Sequence, residues 1–496
     1  MPIRRVGIGR LRLIRCRVFR FKLGLGVLVF VTGIACENEE PCSPGDVGCS
    51  VDAAVGATGG EDAQPSPNQD AAIDVAPVGC PAPTGVILNH VGDITANETW
   101  AGDGTVHRWL FDGSIRPGAT LTIAPCALVQ VGPSLSISLR GAENAPAKLI
   151  ARGTEAQPIQ ISNVPGSDKW GGIIGYDANA SADLAHATLE NGGNGVLRGA
   201  TINLRAGGDP GLIANAVLRI DHVTISGSVG TGVVLESGAG FTADSSVLRI
   251  QGGGVGPGGS DSAIEIGQIA VSTLPTLQFS GNVRDQVRIS AGPGSLQIAR
   301  DTTIRNRGVP YYFYFDRIRV FDPNGLVSPT LTIEPGVEIR FDDYMVVGSV
   351  NLPGKLIAVG TAAQPIVFTS AKSAPSAGDW PGLWLRHAPG SRLENVRIEF
   401  AGGPSGIGSA NCKPSGSNDN AGLLLGFDGS YVPNASDLNG VTISNSASHG
   451  INAMWTNAAF GPDLTAGFTF VNVPGCRQTK NGTPSGCMNA SGCLVP

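Results

Sequence analysis

Asp342 and Asp343 stand side by side in RFDDY (residues 340–344), with Arg340 just before them and Arg386-His387 further on. Two carboxylates with a base nearby are a minimal set for moving a proton or holding a divalent cation. Neighbouring residues of a strand point to opposite faces, so this pair converges on one site only if a turn intervenes. The expectation is a structural turn, and no catalytic residue is assigned. The densest aromatic run is YYFYFD (residues 311–316). Alternation places Tyr311, Phe313 and Phe315 on one side and Tyr312 and Tyr314 on the other. One side is expected in the core, while the opposite side offers rings for stacking on sugars. Tyr311, Tyr312, Phe313 and Tyr314 are therefore the ligand-binding candidates.

Other chemistry is harder to find. The six histidines, His90, His107, His186, His222, His387 and His449, are dispersed, and none forms HExxH or pairs with a close neighbour at ligand spacing. No metal site and no cofactor is expected. GVGPGG (residues 254–259) fits G-x-G-x-x-G, but no amphipathic helix follows and no acidic residue lies about twenty further on. A nucleotide site needs that helix N-terminus to hold phosphate, so the stretch is expected to be a flexible corner.

The elements that must position these residues are short strands. Residues 331–341 (LTIEPGVEIRF), 355–370 (KLIAVGTAAQPIVFTS), 378–385 (GDWPGLWL) and 393–403 (LENVRIEFAGG) are apolar runs broken by Gly, Pro, Asp or Ser after about five residues. Helical spacing is missing from this block. The block occurs twice. LTIAP (121–125) matches LTIEP (331–335), KLIARGTEAQPIQIS (148–162) matches KLIAVGTAAQPIVFTS, KWGGI (169–173) matches DWPGL (379–383), and HVTIS (222–226) matches GVTIS (440–444). Such repetition outranks any local reading. Gly supplies 71 of 496 residues and charged residues only 15%, which suits an all-β solenoid with tight corners. Coils of ~20–25 residues are the expected unit.

LTIEPGV, GTAAQPIVFTS and GDWPGLWL, in that order, resemble the repeat signature of bacterial right-handed parallel β-helix proteins with the pectin-lyase-like fold. The resemblance covers most of residues 86–460. It implies an all-β, right-handed parallel β-helix in two tandem modules, and a surface or secreted protein. The family includes lyases, hydrolases and adhesins, so activity must be argued from a site. A lyase of this type would need acidic residues gathering Ca²⁺ across coils and a base beside the uronate carboxylate; Arg340, Arg386 and His387 are the conceivable partners of Asp342 and Asp343.

Residues 1–35 carry eight basic and no acidic residues, then an apolar core (23–34) too short to span a bilayer. The end of that core, Gly33-Ile34-Ala35-Cys36, resembles a bacterial lipobox, which would make Cys36 the lipidated residue; ordinary secretion with Cys36 in a disulfide is the alternative. Residues 36–79 hold nine acidic residues and no Lys or Arg, and are expected to be a disordered tether. Modules are expected at 80–278 and 279–473, with a Cys-rich cap at 474–496. Eight further cysteines, Cys42, Cys49, Cys80, Cys126, Cys412, Cys476, Cys487 and Cys493, are disulfide candidates. Clustering favours Cys42–Cys49, Cys80–Cys126, Cys412–Cys476 and Cys487–Cys493.

The net charge is −6 with no basic run beyond the start, which leaves nucleic-acid binding without support. Membrane contact is expected through the N-terminal lipid alone, at the outer membrane or cell surface. Binding by stacking and hydrogen bonds asks for less convergence than catalysis. The favoured function is a non-catalytic binding, adhesion or scaffold role toward a polysaccharide or cell-surface partner, with a pectin-lyase-type lyase or hydrolase as the alternative.

Overall fold

The computed structural model describes residues 15–19, 33–37 and 79–496, except 178, 208–214, 260, 291–296, 315–316, 406–419, 427–431, 456–461 and 481–491. Arg15–Phe19 pairs antiparallel with Gly33–Glu37, setting Cys16 opposite Cys36 along the backbone. Asp74–Pro496 forms a second compact unit, and the rest of this account concerns it.

That unit is a right-handed parallel β-helix. One coil runs Thr120–Ile123, Leu128–Val131, Ser136–Leu139; the next runs Ala147–Arg152, Ile159–Asn163, Gly172–Gly175. Each strand lies in register on its counterpart, Leu121 on Leu149, Val129 on Ile161 and Ile137 on Ile173. These inward side chains are at most 1% exposed. Each contributes roughly 1.5–3 kcal/mol by leaving water. Helical structure among the described residues is limited to 3₁₀ turns such as Ala270–Thr273. Some coils have the expected length and others exceed it: Leu331 stacks on Leu356, 25 residues on, but Leu149 on Ala182, 33 on. The excess lies in the turns, which project outward and leave the stacking undisturbed.

The repeated sequence builds repeated local structure. Thr154 and Thr361 each accept the backbone N–H of a Gln three residues on, Gln157 and Gln364, at 3.0 Å through the hydroxyl. Trp170 and Trp380, both buried, donate their indole N–H to the carbonyls of Glu190 and Glu399 at 2.7 and 2.8 Å. Trp170 and Trp380 are thus equivalent packing residues of the repeat.

The two copies do not occupy the same faces. In the first half, a second-face sheet runs from Ile87–His90 through Leu128–Val131 and ends at Thr276–Ser280. The third-face sheet, begun by Ser114–Ile115, continues through Ser262–Ile266 and Arg284–Ile289 to Tyr311–Phe313 and Glu338–Phe341. Glu338–Phe341 is the sequence counterpart of Leu128–Val131, yet it belongs to the other sheet. A new third face starts at Gln297–Ile298. The first face is spliced by the 3₁₀ turn Ala270–Thr273: Phe241 donates its N–H to Thr273 Oγ1 (3.0 Å), and Thr303 donates its own to Ser272 Oγ (2.9 Å). Two hydroxyls replace one rung of backbone ladder.

GVGPGG holds a tight corner. A Cβ at Gly256 would collide with the carbonyl of Arg198 on a neighbouring coil, so only glycine permits that approach. At the C-terminal end Gln478–Thr479 pairs antiparallel with Cys493–Val495. This return corrects the expected pairing there: Cys476 bonds to Cys493, not to Cys412, because the antiparallel strand brings Cys493 back beside it. Cys487 cannot then bond to Cys493. Cys80–Cys126 forms as expected. Cys42, Cys49, Cys412 and Cys487 lie outside the described residues.

Candidate functional site

Three short strands of the new third face, Ile318–Val320, Met345–Val347 and Leu383–Leu385, pair in parallel. Their end residues, from Ile318 to Leu385, fill the core and are completely buried. The middle residues, Arg319, Val346 and Trp384, stand in register on the outside. Strand alternation normally leaves that side polar and wet. Here Val346 and Trp384 are buried and, with Tyr344, Ala421, Leu424 and Met454, form a second apolar cluster outside the solenoid core.

At the Arg319 end this cluster opens into a cavity of about 260 Å³. Its walls include Arg317, Arg319 and Arg386 and the aromatic residues Phe321, Tyr344 and Trp384. Arg317 lies over the Tyr344 ring at 4.7 Å, and Arg386 over the Trp384 ring at 4.9 Å. The Trp384 indole donates to the Gly426 carbonyl at 2.9 Å, which fixes its plane. Burial raises the Tyr344 phenol above its ordinary pKa, so it stays a neutral hydroxyl. Among the described residues no carboxylate lines the cavity, although Asp343 lies 3.9 Å from Arg317. Three planar cations backed by apolar rings suit a carboxylate or sulfate attached to a hydrophobic body.

A larger groove of about 490 Å³ lies on the second face of the same half, lined by Arg284, Glu338, Arg340, Thr369, Lys372 and Glu399 among others. Its cations are each paired: Arg284 with Asp261 (2.8 Å), Arg340 with Glu338 (2.7 Å), Lys372 with Asp379 (2.7 Å). Such a lining is polar but electrically balanced.

The sequence-derived candidates divide between these surfaces. Asp342 accepts a hydrogen bond from the Tyr312 hydroxyl, while Asp343 accepts the N–H of Tyr344 at 2.7 Å and approaches Arg317. The two carboxylates serve different partners across a bend, as strand alternation implied. Arg340 faces the groove and Arg386 the cavity, so the imagined lyase set is split over two faces. Tyr311 and Phe313 lie in the core, 0% and 2% exposed, and no ligand reaches them. Tyr311 and Phe313 are packing residues, and those two ligand assignments are withdrawn; Phe315 lies outside the described residues. Tyr312 points outward but is buried and bound to Asp342. Tyr314 has the Arg288 guanidinium 3.3 Å from its ring centre, which occupies a face a sugar would need.

Histidines that look dispersed in sequence meet in space. His90 and His107 share a 3.0 Å hydrogen bond beside Trp100, and burial pulls the His90 pKa below its ordinary value. His186 and His222 stack with ring centres 5.1 Å apart. Coil stacking brings together residues 17 and 36 apart in sequence, a separation no ligand-spacing motif covers. The Arg317–Arg319–Arg386 cavity was likewise missed, its only linear trace being arginines that alternate with apolar residues.

A family profile described as pectate-lyase like beta helix domain matches residues 326–447. No curated protein and no solved structure matches the chain. The matched segment contains Tyr344, Trp384 and Arg386, and with the parallel sheets stacked on both sides of it, this chain is a parallel β-helix repeat protein.

Proposed function

We propose that the protein is a non-catalytic envelope scaffold that binds an acidic polysaccharide on the third face of its C-terminal half. The observation that carries this reading is the cavity in which Arg317, Arg319 and Arg386 meet the Tyr344 and Trp384 rings. A uronate or sulfated sugar offers both a carboxylate or sulfate for the forks and a carbohydrate body for the apolar floor. Export as a lipoprotein anchored through Cys36 belongs to the same proposal and is supported by the basic-apolar-Cys start and the acidic stretch after it.

Binding of polygalacturonate, alginate and a neutral glucan to the full chain tests the reading. Acidic polymers should bind and the neutral one should not. Arg319→Ala should weaken binding by about tenfold, since a charge-assisted hydrogen bond contributes roughly 1.5 kcal/mol or more. Equal binding of the neutral polymer would defeat it. The profile match favours one competing reading, a polysaccharide lyase of the pectin-lyase type; release of unsaturated uronate that disappears with Asp342→Ala would establish that instead. For the anchor, Cys36→Ala should release the protein from the detergent phase.

A further inference from the structure

We propose that His186, Asp221 and His222 form a binding site for a divalent first-row transition ion such as Zn²⁺ or Ni²⁺, on the ridge between the first and second faces. Each side chain offers one ligand atom, and these atoms all lie within 4.8 Å of one another. An ion held at about 2.0–2.2 Å from imidazole nitrogen and carboxylate oxygen needs them at about 3.3–3.6 Å, a closure of at most about 1.5 Å that two partly exposed side chains can share.

The backbone sets the site. His186 and His222 occupy the same corner of two adjacent coils, both left-handed, with φ of 42° and 53°. The His186 N–H donates to the Asp221 carbonyl at 2.8 Å, locking one coil to the next. The rings are therefore stacked within 4° of parallel. Asp221 is held from both sides: Oδ1 accepts from Ser246 Oγ at 2.6 Å and lies 2.8 Å from His222 Nδ1, while Oδ2 faces Arg219 at 3.3 Å. Partners that orient a ligating carboxylate in this way are what metal sites use around their ligands.

The corner itself does not require histidine. In the second copy of the repeat the counterpart of His186 is Asn395, because Ile159 pairs with Ala187 as Ile366 pairs with Val396. The counterpart of His222 is Gly440, by the match of HVTIS to GVTIS. Both are left-handed too, at φ 48° and 63°, and Asn and Gly are the residues that conformation favours. Where the fold alone decides, it takes Asn and Gly. Two imidazoles with a carboxylate between them add a donor set that the other copy lacks. Imidazole nitrogen selects zinc, nickel or copper over the oxygen-seeking Ca²⁺ and Mg²⁺. With His222 exposed, the outer coordination positions are open to water or to a ligand's own donor.

The test uses the full chain with its disulfides intact, titrated with Ni²⁺ and separately with Zn²⁺ by calorimetry, with Ca²⁺ as a contrast. One saturable site per chain is expected for Ni²⁺ and Zn²⁺, accompanied by a higher unfolding temperature. His186→Asn with His222→Asn keeps residues suited to the corner, so its metal-free unfolding should match the parent. The double variant should lose the site, and Ser246→Ala should weaken it by roughly tenfold. A parent that shows no saturable Ni²⁺ or Zn²⁺ binding overturns the proposal, as does a folded double variant that binds as the parent does.

Discussion

Thr273 Oγ1 accepts the backbone N–H of Phe241, 32 residues earlier, at 3.0 Å, and so does the work of a strand that is not there. The same hydroxyl donates to the Ala270 carbonyl at 2.6 Å, which holds it in place. Thr273→Val keeps the shape and removes the acceptor, leaving a partly buried N–H unmatched. A loss of about 1–3 kcal/mol is expected in denaturant unfolding, and Ser272→Ala should cost a similar amount by orphaning the Thr303 N–H. Neutral outcomes for both would mean that the splice is held by packing alone.

Trp170 and Trp380 should respond alike. Each donates to a carbonyl on the adjacent coil, and each is at most 1% exposed. Trp→Phe at either position is expected to cost ~1–3 kcal/mol through the unmatched carbonyl and the lost volume, and Trp→Ala ~3–5 kcal/mol. Matched unfolding curves of the four variants check this. Strongly unequal losses would show that the two copies carry different loads.

Asp221 has its pKa lowered to about 2, first by the Ser246 hydroxyl, then by the His222 ring, with Arg219 contributing. A depressed carboxylate stabilises the fold above its unfolded pKa of about 3.9, and that stability is lost as pH falls through about 2. Asp221→Asn should therefore be less stable than the parent at pH 6. The gap should narrow between pH 4 and pH 2 and close below it, as followed by thermal unfolding across that range. A gap that persists unchanged to pH 2 would exclude the ionic contribution.

The Cys476–Cys493 bond closes a loop with a sequence separation of 17 residues at the end of the solenoid. Its removal by paired Cys→Ser changes should cost about 3 kcal/mol on chain-entropy grounds. The loss should appear first as faster amide exchange in His449–Ala453, whose outer neighbour is Gln478–Thr479. Exchange that rises evenly along the whole chain would instead make the solenoid one cooperative body.

The β-helix itself was legible because its signals are local and occur twice. The GTEAQPI and GTAAQPI segments make the same Thr–Gln turn, and Trp170 and Trp380 make the same indole bond. What stayed hidden depends on which coil lies next to which. The burial of Val346, Trp384 and Leu424 on an outward face follows from what covers them, and alternation says nothing of covers. His186 and His222 meet because an intervening coil happens to be 36 residues long. The partner of Cys476 was mispaired for a related reason, since proximity in sequence says little once a strand doubles back.

The one-face offset between the copies has a consequence for how the molecule can be used. Gln160 and Val367 hold the same place in the repeat, yet they look out from different sheets. A straight polymer lying along the axis cannot pass over both. Duplication with this change of phase did not lengthen one track; it turned the second track toward a different horizon. Selection is then free to sharpen one side for a guest while the other keeps to the architecture.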